Sequence, residues 1–414
     1  MLKRSICLLA AACCLFAALA GCGKTDPEPT ASRETQMLIP STEAEPDTTV
    51  PALIPTTEPT ETETVLETVA PTEPFEPYIT YNDAGKAVVH VPGPTDNRPR
   101  LRYVFNPHAL SSIYRLAYGE EIEAEVIGFC DAVLAGEDRF PCTGAENWQH
   151  MHAIMRNLLP ICVYVDLGAE YEEASNEDGF YPIRYTLDHS GFLAEKDRFV
   201  ERVTELIEEA DLREGDSDLE KALKLFTSSS LRLVYDYAMD EYDTEHQSAY
   251  RALMGDTGIC AENAGAYAYL LLQAGVDAAV CTGSMLRDGE PHGWTVFRIG
   301  ESWFHADVTW QLREPYKLQF FGNSDFWRYA YGLDTLSFDL GACGVLKSED
   351  LLMQDEKLYC LQDVSWYAID HENGQLLYYD VADFNDAAED LSNFEKEPHV
   401  MSLEELLPDQ SENE

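Results

Sequence analysis

Two stretches decide the fold. The first runs Gly258-Ile259-Cys260-Ala261-Glu262-Asn263-Ala264 and on to Leu270-Leu271-Leu272-Gln273-Ala274-Gly275. The second runs His292-Gly293-Trp294-Thr295-Val296-Phe297-Arg298-Ile299, then Trp303-Phe304-His305-Ala306-Asp307-Val308-Thr309-Trp310. The first is rich in Ala, Leu and Tyr, and Gly275 stands where a glycine closes a helix, so a helix is expected back to about Cys260. Asp256 or Thr257 offers the N-cap, and the positive helix end favours a thiolate at Cys260 over a thiol. The second stretch holds two β-rich runs around Gly300-Glu301, a pair suited to a type II′ hairpin turn. If Ile299 pairs with Ser302, His292 falls opposite Thr309 and shares a sheet face with Asp307, its diagonal neighbour. A loop one residue longer would turn Asp307 to the other face. On the favoured register Trp303 and Thr309 also lie on the His292 face. His305 sits further toward the turn, and is expected to be a partly buried sheet histidine and not a base.

A buried structural cysteine is commoner than a catalytic one, so Cys260 alone decides nothing. With His292 and Asp307 it completes a set: a nucleophile, a base that takes and returns its proton, and a carboxylate that fixes the imidazole tautomer. These stretches resemble the transglutaminase-like superfamily, through Gly258 to Ala261, Leu270 to Val276, His292-Gly293-Trp294 and Trp303 to Trp310. Tyr242-Asp243 upstream and Phe320-Phe321-Gly322-Asn323-Ser324-Asp325 downstream look like weaker flanking signatures of that family. The resemblance implies an α+β, papain-like core in which the Cys-bearing helix packs on an antiparallel sheet, preceded here by a mainly helical region. It also implies acyl-thioester chemistry on amides with Cys260, His292 and Asp307 as the catalytic residues, and neither a metal nor a cofactor. The Cys260 backbone N–H is the natural first oxyanion donor, and Trp294 and Trp310 are expected to line the substrate site. The sequence departs from the family at Glu262, Gly293 and Gln311, where members often carry Gly, Ala and an acidic residue.

The 414 residues carry 28 Lys+Arg against 75 Asp+Glu, a formal charge of −47, and no basic cluster. A polyanion surface is therefore repelled, which excludes nonspecific nucleic-acid binding. Lys3 and Arg4 precede an apolar run from Ile6 to Ala20, too short to span a bilayer as a helix and typical of an export signal. Its end, Leu19-Ala20-Gly21-Cys22, resembles the lipobox of bacterial lipoproteins, which implies a signal peptide over 1–21 and lipid attachment at Cys22. An extracytoplasmic, membrane-anchored protein follows from that resemblance. From Thr25 to Pro77 there are ten Pro, thirteen Thr and twelve acidic residues with one aromatic, Phe75. That composition buries no core, so 22–77 reads as a disordered stalk reaching about 40 Å.

Beyond it the expected order is a mainly helical accessory region over 78–234, a catalytic domain over 235–380, and an acidic tail over 381–414 whose last stretch is frayed or disordered. Tyr78 to Val91 reads as a hairpin around Asn82 to Gly85. Helical spacing runs from about His108 to Leu159 and from Phe192 to Ala210, and a Ser217/Glu220 capping box opens a helix to about Met239. Asn373-Gly374 marks a second hairpin, either separate or an extension of the catalytic sheet. His150 and His152 lie two apart, the wrong spacing for one helical face, so no metal site is expected there. Cys130, Cys142, Cys162, Cys281, Cys343 and Cys360 leave both disulfides and buried free thiols open. The expected activity is thiol-dependent amide cleavage or transfer on peptides or proteins, by a monomer. A scaffold module without turnover, and a cell-wall peptide hydrolase of another papain-like branch, are the alternatives.

Overall fold

A computed structural model describes residues 78–91, 93–141, 155, 159–166, 180–239, 248–314, 317–325, 328, 332, 361, 364–380, 383 and 397–406, all within the unit Ala70–Glu414. The leader with Cys22, the stalk, His150, His152, Tyr242-Asp243, Cys142, Cys343 and Cys360 lie outside the described residues.

An antiparallel pair, β1 (Tyr78–Tyr81) and β2 (Ala87–His90), opens the described chain. Next come α1 (Ser112–Tyr118) and α2 (Glu120–Ala135), then β3 (Arg139–Pro141) paired with β4 (Phe180–Pro182). Helix α2 closes at Gly136, which adopts a left-handed φ of 70°, and within the span 108–159 expected to be mostly helical Met155 is helical again after β3. Two long amphipathic helices follow, α3 (His189–Glu209) and α4 (Asp218–Arg232), the latter opened by the expected capping box. Helix α4 ends at Arg232 and not near Met239. Leu233 turns to extended geometry, and β5 (Val234–Tyr235) pairs in parallel with β6 (Thr257–Gly258) across α5 (Ala249–Gly255).

The end of α4 is sealed by the first hairpin. Lys86 Nζ donates to the carbonyls of Ser230 and Leu233, and Asn82 Nδ2 donates to Leu231 O at 2.9 Å. Burial, with Arg232 nearby, lowers Lys86 from 10.5 to about 8.

The centre of the molecule is helix α6 (Cys260–Gln273) on the antiparallel sheet β7 (Ala278–Ser284), β8 (Pro291–Ile299) and β9 (Ser302–Ala306). Almost every residue of α6 is buried, which its Ala/Leu/Tyr composition allows. One face meets the sheet, and α3, α4 and α5 pack on the others. Tyr267 Oη spans to Ala222 O of α4 at 3.0 Å, so the one polar atom on that buried ring is satisfied. The two sheet faces carry separate cores. Phe297, Phe304 and Ala306 join the large cluster around α6, while Ala279, Cys281, Trp294, Val296 and Trp303 pack with Ile113 of α1 on the far face. Fully burying one such aromatic or leucine contributes about 1.5–3 kcal/mol.

The β8–β9 register is the expected one, Ile299 opposite Ser302 and Thr295 opposite Ala306. Gly300 has φ 58° while Glu301 stays at negative φ, the signature of the II′ turn. Strand β9 nevertheless stops at Ala306. Asp307 caps α7 (Val308–Gln311), so Thr309 is helical and not a strand partner of His292.

A second three-stranded sheet, β10 (Val364–Asp370), β11 (Gln375–Asp380) and β12 (His399–Ser402), is separate from β7–β9. Its third strand lies inside the acidic segment 381–414. Leu376 opposite Met401 gives the acidic tail an apolar partner, and that pairing orders 399–402. Cys130, Cys162 and Cys281 are buried, and none forms a disulfide among the described residues.

Candidate active site

Cys260 occupies the first position of α6, where a backbone amide has no intrahelical acceptor. The N-cap is Ile259, whose side chain cannot cap; Asp256 and Thr257 do not serve. Asp256 instead closes α5 at φ 57° and pairs with Arg202 at 3.0 Å and with Arg232. The helix start is secured by Glu262, which accepts the Ile259 N–H at 3.0 Å and the Ser248 N–H at 3.1 Å and pairs with Arg251 at 2.7 Å. The departure at Glu262 is thus a structural clamp: its carboxylate is 1% exposed and fully engaged.

Gly293 accounts for the second departure. A Cβ there would lie 2.8 Å from Ala261 Cα and 3.1 Å from Ala261 N, so only glycine lets β8 press against the backbone of the helix tip. That contact brings His292, the preceding residue on β8, up to Cys260. The thiol side chain is near enough to contribute by hydrogen bond and charge to the His292 equilibrium. Gln311, the third departure, holds loops: its Nε2 donates to Glu314 O and its Oε1 accepts from Phe320 N.

His292 Nε2 donates to Asp307 Oδ2 at 2.7 Å, both residues being buried. The Nδ1 edge is left for the thiol. Asp307 Oδ1 accepts the Trp310 N–H at 3.0 Å, the N-cap bond of α7. Burial alone would lower the His292 pKa. The Asp307 charge and hydrogen bond, with Cys260 on the other side, outweigh it and raise His292 from 6.5 to about 9. Burial pushes Asp307 the opposite way, and His292 with Arg328 brings it from 3.8 down to about 2.

Arg328 escaped the sequence reading. Fully buried, it donates from Nη2 to Asp307 Oδ2 at 2.8 Å, and its guanidinium lies 5.2 Å from the Trp294 ring and 4.8 Å from the Trp310 ring. The signal available was a lone cation in the aromatic run Phe326-Trp327-Arg328-Tyr329 of an acidic chain. Trp310 stacks on His292 with ring centres 5.0 Å apart and remains partly exposed, as a lining residue would. Trp294 does not line an open site. It is wholly buried behind His292 and donates from Nε1 to His305 Nδ1 at 2.9 Å. His305 is fully and not partly buried, and its Nε2 donates to Asp325 Oδ1 at 2.7 Å. Burial lowers its pKa below 6.5 against the pull of Asp325. The downstream signature has a physical role here: Asn323 exchanges both backbone hydrogen bonds with His305 and so delivers Asp325 to the imidazole.

A thiol at a helix tip, an imidazole on the adjoining strand and a carboxylate at the next strand end form the constellation of a cysteine nucleophile site on an α+β core. Residues 208–308 match the family described as the transglutaminase-like superfamily. Among solved structures, a proposed cysteine protease from Cytophaga hutchinsonii is 17% identical over 27% of this chain and 37% of its own, with a TM-score of 0.23. A protein given as a TGase is 16% identical over 31% of this chain and 40% of its own, with a TM-score of 0.25. The chain thus spans well under half the length of either. No curated protein matches it.

Proposed function

We propose that this protein is a thiol-dependent enzyme acting on amide bonds of peptides or proteins, hydrolysing them in preference to crosslinking them. The observation that carries the reading is the 2.7 Å His292–Asp307 bond beside Cys260 at the α6 tip. His292 takes the Cys260 proton, and the sulfur attacks the amide carbonyl carbon. The C–N bond breaks, and the amine leaves with the proton that His292 returns. Water, deprotonated by the same imidazole, then attacks the thioester carbonyl, and the acid and the thiol are released. The amide of Cys260 donates to the oxyanion during both additions. Water is the default second nucleophile for a thioester that solvent can reach. The resemblance of Leu19 to Cys22 to a lipobox, and the Pro/Thr-rich composition of 22–77, support an activity outside the cytoplasm, tethered through Cys22 and directed at cell-wall peptides or extracellular proteins within reach.

The low exposure of Cys260, 8%, is the observation on which a scaffold reading would rest. Two measurements separate the readings. Iodoacetamide labelling of Cys260 should be fast at neutral pH and lost in His292→Ala; slow, His-independent labelling would favour the scaffold. Mass spectrometry of amide-bearing peptides with added primary amine should show backbone cleavage. Loss of ammonia with amine incorporation would instead mean transfer.

A further inference from the structure

We infer that Arg328 is a positioning residue of the site, a fixed cation that holds Asp307 as a carboxylate through both protonation states of His292. The inference rests on the proposed thiol–imidazole chemistry and concerns a group outside it. In that chemistry His292 alternates between imidazolium, after taking the thiol proton, and neutral imidazole, after giving it to the leaving amine. Asp307 is 1% exposed, and burial of its charge is the largest influence on it. Were His292 its sole counter-charge, Asp307 would stand buried and uncompensated each time the imidazole became neutral. The proton would then be drawn toward Asp307 and away from the leaving amine.

Arg328 removes that difficulty geometrically. Its Nη2 and the His292 Nε2 meet the same oxygen, Asp307 Oδ2, at 2.8 and 2.7 Å. The guanidinium cannot lose its proton under working conditions. It is held between Trp294 and Trp310, the two indoles whose rings also stack beside His292, at 6.1 and 5.0 Å between centres. The same walls therefore fix the cation and the base. Among the described residues, the titratable and charged groups facing His292 are Cys260 from α6, Asp307 from the start of α7 and, across Asp307, Arg328; His305 and Asp325 lie behind Trp294. Because Arg328 opposes a second positive charge nearby, it also makes the imidazolium readier to give up its proton.

The test reads the His292 imidazole by nuclear magnetic resonance titration in the full chain, without substrate. Arg328→Gln keeps a donor toward Asp307, Arg328→Met keeps the apolar packing between the indoles, and Arg328→Lys keeps the charge. Both neutral variants should move the His292 midpoint upward by about one pH unit, a tenfold change in proton affinity, while Arg328→Lys stays near the native value. An unchanged or lowered midpoint in either folded neutral variant overturns the inference. If neither neutral variant folds and Arg328→Lys does, the charge itself is what Asp307 requires, which supports it. If Arg328→Lys fails as well, the guanidinium is a packing element and the inference falls. None of these readings depends on turnover. Loss of His292-dependent Cys260 labelling in the native chain would instead defeat the catalytic proposal while leaving the titration interpretable.

Discussion

His292 and His305 sit on neighbouring strands of one sheet, and each donates from Nε2 to a carboxylate at 2.7 Å, yet their proton affinities move in opposite directions. The difference lies in what surrounds each pair. Asp307 is 1% exposed, so its charge acts on His292 almost unscreened, whereas Asp325 is 30% exposed and its pull on His305 is diluted. The second ring nitrogen differs too. In His292 it is left toward a thiol; in His305 it accepts the Trp294 N–H, which fixes a neutral tautomer. A histidine–carboxylate pair is thus no signature by itself. What the opposite nitrogen meets decides whether it is chemistry or support.

The largest expected effect breaks the comparison outright. His292→Ala should lower amide turnover by about a thousandfold or more with the fold retained, read as kcat/KM on any cleaved peptide. His305→Ala should do the reverse, costing about 2–3 kcal/mol of stability by leaving Trp294 and Asp325 without their partner, read by chemical denaturation. Next, Gly293→Ala should cut kcat by about a hundredfold, because its Cβ forces the helix tip and strand apart and lengthens the thiol–imidazole approach, while substrate binding changes less.

A subtler effect is in pH. His292, raised from 6.5 to about 9, binds its proton more tightly when folded, so its contribution to stability is complete below pH 6.5 and is lost as pH climbs through 9. His305, lowered below 6.5, binds its proton less tightly when folded, so stability falls as pH drops below 6.5. Stability from the two therefore peaks near neutrality. Denaturation midpoints across pH should lose the alkaline decline in His292→Gln and the decline just below neutrality in His305→Gln. Asp307, lowered from 3.8 to about 2, adds a separate loss confined to that more acidic range. The smallest change is expected from Trp294→Phe, which keeps the ring beside Arg328 but removes the donor to His305, at about 1 kcal/mol.

Much of this site was legible in the sequence because it depends on short-range rules. Gly275 and the Ala/Leu/Tyr run set α6, Gly300 set the hairpin register, and the register set the face shared by His292 and Asp307. What escaped depends on long-range meetings. The exit of β9 into α7 follows from Asp307 serving two masters, as cap and as partner of His292. Arg328 reaches Asp307 across 21 positions, and no periodicity links them. Trp294 was read as a lining residue because an aromatic beside a catalytic histidine is equally suited to the front or the back of the ring. Only the packed far face of the sheet, with Ile113 and Trp303, assigns it to the back.

Lys86 and Asn82 close the last turn of α4 from 144 to 149 positions earlier in the chain, just before the strand pair that leads into the Cys260 helix. The hairpin that looks like a prelude is therefore a keystone. A truncation beginning after residue 90 would bare three carbonyls at the base of the nucleophile's support, whereas one beginning at residue 78 keeps that seal whole.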